Sequence, residues 1–277
     1  MSEATLRAAM AERAARAGGV VARETFRGDV AVETKANKND LVTEADRDAQ
    51  RQVIATIRQE FPNADFVCEE DSRPLGTDTM SVDLLDAVPE TGDAWIVDPV
   101  DGTGNYVRGI RFWATSIATV SAGEAVAAAT FLPAEGDIYT AGPESVSRND
   151  ESMTVSERGD PETFAAALIG WWAGMEGGEY ASLFEAAADR FGDLRRLGSM
   201  QGTLALVASG GLEAAFMPKT PHPWDAIAGV HLVRRAGGTV TDVHGNPWSN
   251  GDDGLVASNG EAHDAVLDAV RDGLDLD

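Results

Sequence analysis

Apolar positions along the chain fall into short runs, and their period changes from segment to segment. Leu6, Met10, Ala14, Ala17 and Val21 recur at spacings of three and four, which predicts a helix over residues 3–26. Gly18-Gly19 weakens or bends it. Val30, Val32 and Thr34 then alternate, as on a strand over 29–35 that ends at Lys35. Ala49, Val53, Ile57 and Phe61 recur every four residues, so a second helix runs to about Phe61. Thr43-x-x-Asp46 precedes this run and matches a capping box, which is a sufficient structural use for both residues. Asp46 at a helix start can also position a hydroxyl or a water.

Phe66-Val67-Cys68 reads as a short strand followed at once by Glu69-Glu70-Asp71. Three consecutive acids repel unless solvent or a cation lies among them, so this is either a solvated loop or half of a site. Residues 73–93 are polar and rich in Pro and Gly, as a loop is. Trp95-Ile96-Val97 is a buried strand by its pattern, and Pro99, which has no N–H for a ladder, predicts a stop near Asp98. Asp98 and Asp101 then share a tight turn where two carboxylates can converge on one hard cation. Gly102 and Thr103 follow with backbone N–H groups suited to an anion. The plainer alternative is an acidic turn after a core strand.

Further on, residues 112–120, 125–132 and 137–141 predict an antiparallel meander, and the polar stretch 143–163 joins two parts of the chain. From Phe164 onward strands and helices alternate, which implies an α/β layer. Asp225 opens one of those helices after Pro221-His222-Pro223, as a first-turn acid commonly does. His222 between two prolines reads as structural.

Composition narrows the function classes. The 277 residues contain 43% hydrophobic side chains, enough for a packed core. Lys and Arg number 22 against 46 Asp and Glu, a formal charge of -24, which argues against a nucleic-acid partner or an anionic membrane surface. The acids are spread along the chain, as on a surface adapted to high salt. Cys68 is the single cysteine, so no intrachain disulfide forms and a reducing cytoplasm fits. No signal-peptide pattern and no membrane-length apolar run is seen. Neither Gly102-x-Gly104 nor Gly198 with Gly202 makes a dinucleotide fingerprint.

Taken together, Asp46, Glu69, Asp98 with Asp101, and Asp225 resemble the acids of the inositol monophosphatase family of magnesium-dependent, lithium-sensitive phosphatases. Asp98-Pro99-Val100-Asp101-Gly102-Thr103-Gly104-Asn105-Tyr106 is similar to its first signature, and Trp224-Asp225-Ala226-Ile227-Ala228-Gly229 to its second. Glu69-Glu70 and Asp40-Leu41-Val42-Thr43-x-x-Asp46 are similar to two earlier segments, so the match runs in order over nearly the whole chain.

The resemblance implies a layered αβαβα sandwich, with an α+β part over 1–145 and an α/β part over 146–277. It implies two or three Mg²⁺ ions. Glu69, Asp98 and the Val100 carbonyl would hold one, and Asp98, Asp101 and Asp225 a second. Asp46 and Thr103 would orient the attacking water, with Glu69 also in the catalytic set. Gly102, Thr103 and Lys35 would meet the phosphate. Gly198, Met200 and Arg196 would line the substrate side. The substrate would be a small polyol phosphate ester, and the assembly a homodimer. Pro218 stands where inositol-specific relatives carry an acid, while Arg195, Arg196 and Lys219 are placed to meet a second phosphate. Fructose 1,6-bisphosphate is therefore the second candidate substrate and a 3′-phosphonucleotide the third.

Overall fold

A computed structural model of the chain describes residues 2–28, 32–34, 41–70, 84–170 and 177–276. Its first elements are α1 (Glu3–Thr25), β1 (Val32–Thr34), β2 (Leu41–Thr43), α2 (Glu44–Arg58), β3 (Phe66–Cys68), β4 (Asp93–Asp101) and α3 (Thr103–Tyr106). Next come β5 (Ala114–Ser121), β6 (Glu124–Leu132), β7 (Asp137–Ala141), β8 (Val146–Arg148), β9 (Glu151–Ser152), β10 (Ala165–Leu168) and α4 (Gly177–Ala188). The chain ends with β11 (Asp193–Arg195), α5 (Met200–Ala208), β12 (Ala214–Met217), α6 (Pro223–Arg235), β13 (Thr239–Thr241), β14 (Leu255–Ser258) and α7 (His263–Leu274).

The strands form a seven-stranded sheet in the order β3-β4-β5-β6-β7-β8-β9, a five-stranded sheet in the order β11-β10-β12-β14-β13, and the small pair β1-β2. The expected meander is present, since β4 to β7 pair antiparallel in sequence order. In the smaller sheet β11, β10 and β12 are parallel, and β14 and β13 add antiparallel. Two short strands, β8 and β9, fall within the polar stretch 143–163 and extend the larger sheet.

Side-chain alternation explains the stacking. Trp95 and Val97 of β4 face α1 and α2, in a core with Met10, Ala14, Val53 and Ile57. Ala94 and Ile96 face the other way, into a core shared with Leu204 of α5, Val230 of α6 and Ala167, Ala215 and Ala257 of the smaller sheet. The opposite face of that sheet (Ala166, Leu168, Phe216, Val256) packs on Leu183 of α4 and Val266 and Val270 of α7. The result is helix, sheet, helix, sheet, helix, the five layers expected. Sheets covered on both faces need near-continuous apolar strands, which is why Trp95 to Val97 reads as an unbroken run.

Two local expectations meet a different outcome. Gly18-Gly19 does not interrupt α1. A Cβ at Gly18 would lie 2.6 Å from Val53 Cγ2, and one at Gly19 2.6 Å from Phe131 Cδ1. These glycines let α1 lie close on α2 and β6. Strand β4 also runs on to Asp101 rather than stopping near Asp98. Pro99 is accommodated because the pairing register with β5 shifts between Asp98 and Asp101, and bulges are where a strand tolerates proline. The Pro99 carbonyl still accepts a bond from the Thr115 hydroxyl at 2.7 Å.

Candidate active site

The site grows from four chain ends that the layers bring together: the start of α2, the β4–α3 turn, the first turn of α5 and the first turn of α6. At the first, the capping box is formed. Asp46 Oδ2 accepts the Thr43 backbone N–H at 2.8 Å and its hydroxyl at 2.5 Å. Thr43 Oγ1 in turn accepts the Ala45 N–H at 3.2 Å. Asp46 also meets the second chain end, because the Thr103 hydroxyl donates to its Oδ1 at 3.1 Å. That hydroxyl lies 3.1 Å from the Val100 carbonyl as well. Asp46, Val100 and Thr103 are thus in mutual reach, and the capping bonds leave Asp46 Oδ1 to the Thr103 hydroxyl.

At the β4–α3 turn Gly102 has φ 89°, a left-handed conformation that favours glycine. A Cβ there would also lie 2.9 Å from the Gly198 carbonyl oxygen. The turn is pinned to the segment before α5 by Asn105, whose amide donates to Leu197 O and Phe112 O, each at 2.7 Å. Asn105 belongs to the first motif, but nothing in its spacing announces this role.

Asp98, Asp101 and Asp225 each offer a carboxylate oxygen, all lying within 4.8 Å of one another. Asp98 and Asp101 are buried and Asp225, in the first turn of α6, is half-buried. Asp98 Oδ1 is buried without a hydrogen-bond partner. Burial holds the Asp98 carboxyl well above the usual carboxylate range, and Glu69, Asp101 and Asp225 push it further up. An all-oxygen donor set around an unpartnered buried carboxylate oxygen fits a hard divalent cation, whose charge would offset the repulsion.

Asp101 is treated differently. Its carboxylate sits on the N-terminus of α5 and accepts from the Ser199 hydroxyl and from the N–H groups of Met200 at 3.0 Å, Gln201 at 2.8 Å and Gly202 at 3.3 Å. Burial still raises its pKa, the donors opposing the rise. Ser199 is legible in the sequence as a helix cap, but its second contact, across ninety-eight positions, is not.

The other expected residues fall as follows. Glu69 directly follows β3 and lies beside Asp98. Gly198 packs on Asn105, and the Met200 N–H is spent on Asp101 while its side chain joins the core between the sheets. Arg196 is exposed and lies against Tyr180. Arg195 pairs with Asp193, and Lys219 with Glu179 at 3.3 Å. Lys35 lies outside the described residues, as do Asp40 and Asp71. His222 stacks on Trp224 at 4.8 Å between ring centroids, in keeping with its structural reading. Burial pushes the Cys68 thiol far up, so it stays protonated and is no nucleophile.

A five-layered α/β fold whose carboxylates converge from strand and helix ends is the framework of a metal-dependent phosphatase. The comparisons agree: the family model described as "Inositol monophosphatase family" matches residues 3–274, and the chain belongs to that family. It is similar to the fructose-1,6-bisphosphatase/inositol-1-monophosphatase of Thermotoga maritima, 32% identical over 87% of this chain and 86% of the relative. It is also similar to the Nus factor SuhB of Escherichia coli K12, 31% identical over 96% of each. Among solved structures, a Thermotoga maritima IMPase superposes with a TM-score of 0.84 at 28% identity, over 98% of both chains. No described helix is long and apolar enough to cross a membrane.

Proposed function

We propose that this protein is a Mg²⁺-dependent phosphatase of a small polyol phosphate monoester, with inositol 1-phosphate as its first substrate. The observation that carries the reading is the meeting of Asp98, Asp101 and Asp225 within 4.8 Å, around a buried Asp98 oxygen that nothing in the described chain satisfies. In this reading Glu69, Asp98 and the Val100 carbonyl hold one ion, and Asp98, Asp101 and Asp225 a second. Bound there, magnesium supplies an acidified water and neutralises charge on the phosphoryl oxygens. The protein's own groups do the rest. Asp46 accepts the hydrogen bond of the Thr103 hydroxyl, leaving the Thr103 Oγ1 lone pairs to accept from the attacking water and orient it. Backbone N–H groups of Gly102 and Thr103, together with Lys35, meet the phosphate.

Fructose 1,6-bisphosphate is the second reading. It is favoured by the name of the Thermotoga relative and by Arg196 and Lys219, cations carried near the start of α5 and α6. Phosphate release from the two substrates under Mg²⁺ decides between them. A higher kcat/KM for inositol 1-phosphate is expected. Preference for the bisphosphate overturns the first choice, and no Mg²⁺-dependent release from either overturns the enzyme reading. We also read the charge of -24 as an adaptation to salt and as unfavourable for a nucleic-acid backbone. Retardation of RNA at moderate salt contradicts the latter. The homodimer is tested by light scattering in molar salt.

A further inference from the structure

We propose that Gln201 is a positioning residue that fixes the spacing between Asp101 and Asp225; the inference rests on the metal-site reading above. Gln201 is fully buried in the first turn of α5. Its backbone N–H donates to Asp101 Oδ2 at 2.8 Å. Its side chain reaches the other way, to the helix that carries Asp225. There Nε2 donates to the Trp224 carbonyl at 2.5 Å, and Oε1 accepts the Gly229 N–H at 2.7 Å. Each amide atom faces a partner of the complementary type, so the orientation of the carboxamide is set by its neighbours. Asp225 lies between the two groups so held. One residue therefore touches one candidate ligand directly and grips the backbone on both sides of another.

The packing leaves this arrangement little freedom. A Cβ at Gly229 would lie 2.5 Å from Leu204 Cδ1 and 2.9 Å from Gln201 Oε1. Only glycine lets α5 and α6 approach closely enough for the carboxamide to span them. The physical need is plain. Carboxylates that share a site repel each other before a cation arrives, and magnesium tolerates little error in ligand position. A neutral amide holds the separation without adding charge to a cluster already acidic.

The test is Mn²⁺ binding, measured by calorimetric titration on the full chain at fixed pH and salt, with the metal-free melting midpoint as a control. Gln201→Glu keeps the shape and the acceptor for Gly229, loses the donor to Trp224 and adds a negative charge. Gln201→Met keeps the volume and loses both bonds. Positioning predicts that one ion binds at least tenfold more weakly in each variant, the glutamate included, while the metal-free protein still melts in one cooperative transition. Affinity equal to or tighter than wild type in the glutamate variant overturns the proposal, because charge alone would then govern. Collapse of the melting transition in both variants overturns it in favour of a purely structural role. Absence of Mn²⁺ from the wild-type protein overturns the metal site itself, a failure distinguishable from that of Gln201.

Discussion

Asp46 and Asp98 are buried to the same degree, at 0% and 1% relative exposure, yet the fold completes one and leaves the other open. Asp46 receives a backbone N–H and two hydroxyls, from Thr43 and Thr103. Asp98 has an oxygen with no partner and faces three other acids. A buried carboxylate without donors is costly unless something else supplies positive charge. The pair therefore separates what the chain completes by itself from what it leaves open, the place our proposal gives to a cation. Asp101 lies between these extremes, pinned by four donors at the start of α5 while keeping an oxygen within the cluster.

Breaking the open end should have the largest effect. Asp98→Asn is expected to cut Mg²⁺-dependent phosphate release by about 10³-fold, the several kcal/mol that ion placement supplies. In EDTA the same variant should melt above wild type, since a neutral amide replaces a repelled carboxylate. Scanning calorimetry with and without Mg²⁺ reads both halves of this prediction. Thr103→Val removes the hydroxyl shared by Asp46 and Val100 but no candidate carboxylate ligand. It should lower kcat by about 10²-fold while leaving the Mg²⁺ concentration for half-activation unchanged. A shift in that concentration would move Thr103 to the cation's side of the comparison.

Breaking the completed end should act on stability whether or not metal is present. Asp46→Ala removes half of a capping box and leaves buried donors unpaired. A loss of about 2–4 kcal/mol is expected from the cap and the unsatisfied groups together, measured by denaturant midpoints in EDTA and in Mg²⁺. Equal losses in both conditions support the contrast drawn here.

The smallest effect sharpens the comparison on the acid side. His231, on the helix of Asp225, has its pKa lowered from 6.5 to about 4 by burial and by Arg235 and Arg234. The unfolded chain then binds the proton first, so stability falls as pH drops from 6.5 toward 4. The loss is on the order of 1 kcal/mol once partial exposure is allowed for. His231→Gln should flatten that limb in metal-free melting curves, leaving the contribution of the acidic cluster visible by itself.

Much of this candidate site was legible because its acids sit where apolar runs end. Phe66 to Cys68 and Trp95 to Val97 mark strands by pattern, so Glu69, Asp98 and Asp101 stand out just beyond them. Thr43 and Asp46 announce themselves through capping chemistry, and Asp225 through a proline-led helix start. What escaped has no local signature. The hold of Ser199 to Gly202 on Asp101 joins segments about a hundred residues apart. Gln201 looks like any polar residue in a helix start until α6 is placed beside it. Pro99 misleads because a bulge spares it the ladder bond that the strand pattern demands. Strands β8 and β9 are short and polar, so alternation carries no signal there.

The central claim is that the open carboxylates are completed by divalent cations. Its most direct test is anomalous diffraction from a crystal soaked in Mn²⁺. The account predicts anomalous density enclosed by Glu69, Asp98, Asp101 and Asp225, within bonding distance of Asp98 Oδ1. Density elsewhere on the acidic surface, with the cluster empty and Asp98 still unpartnered, would contradict it.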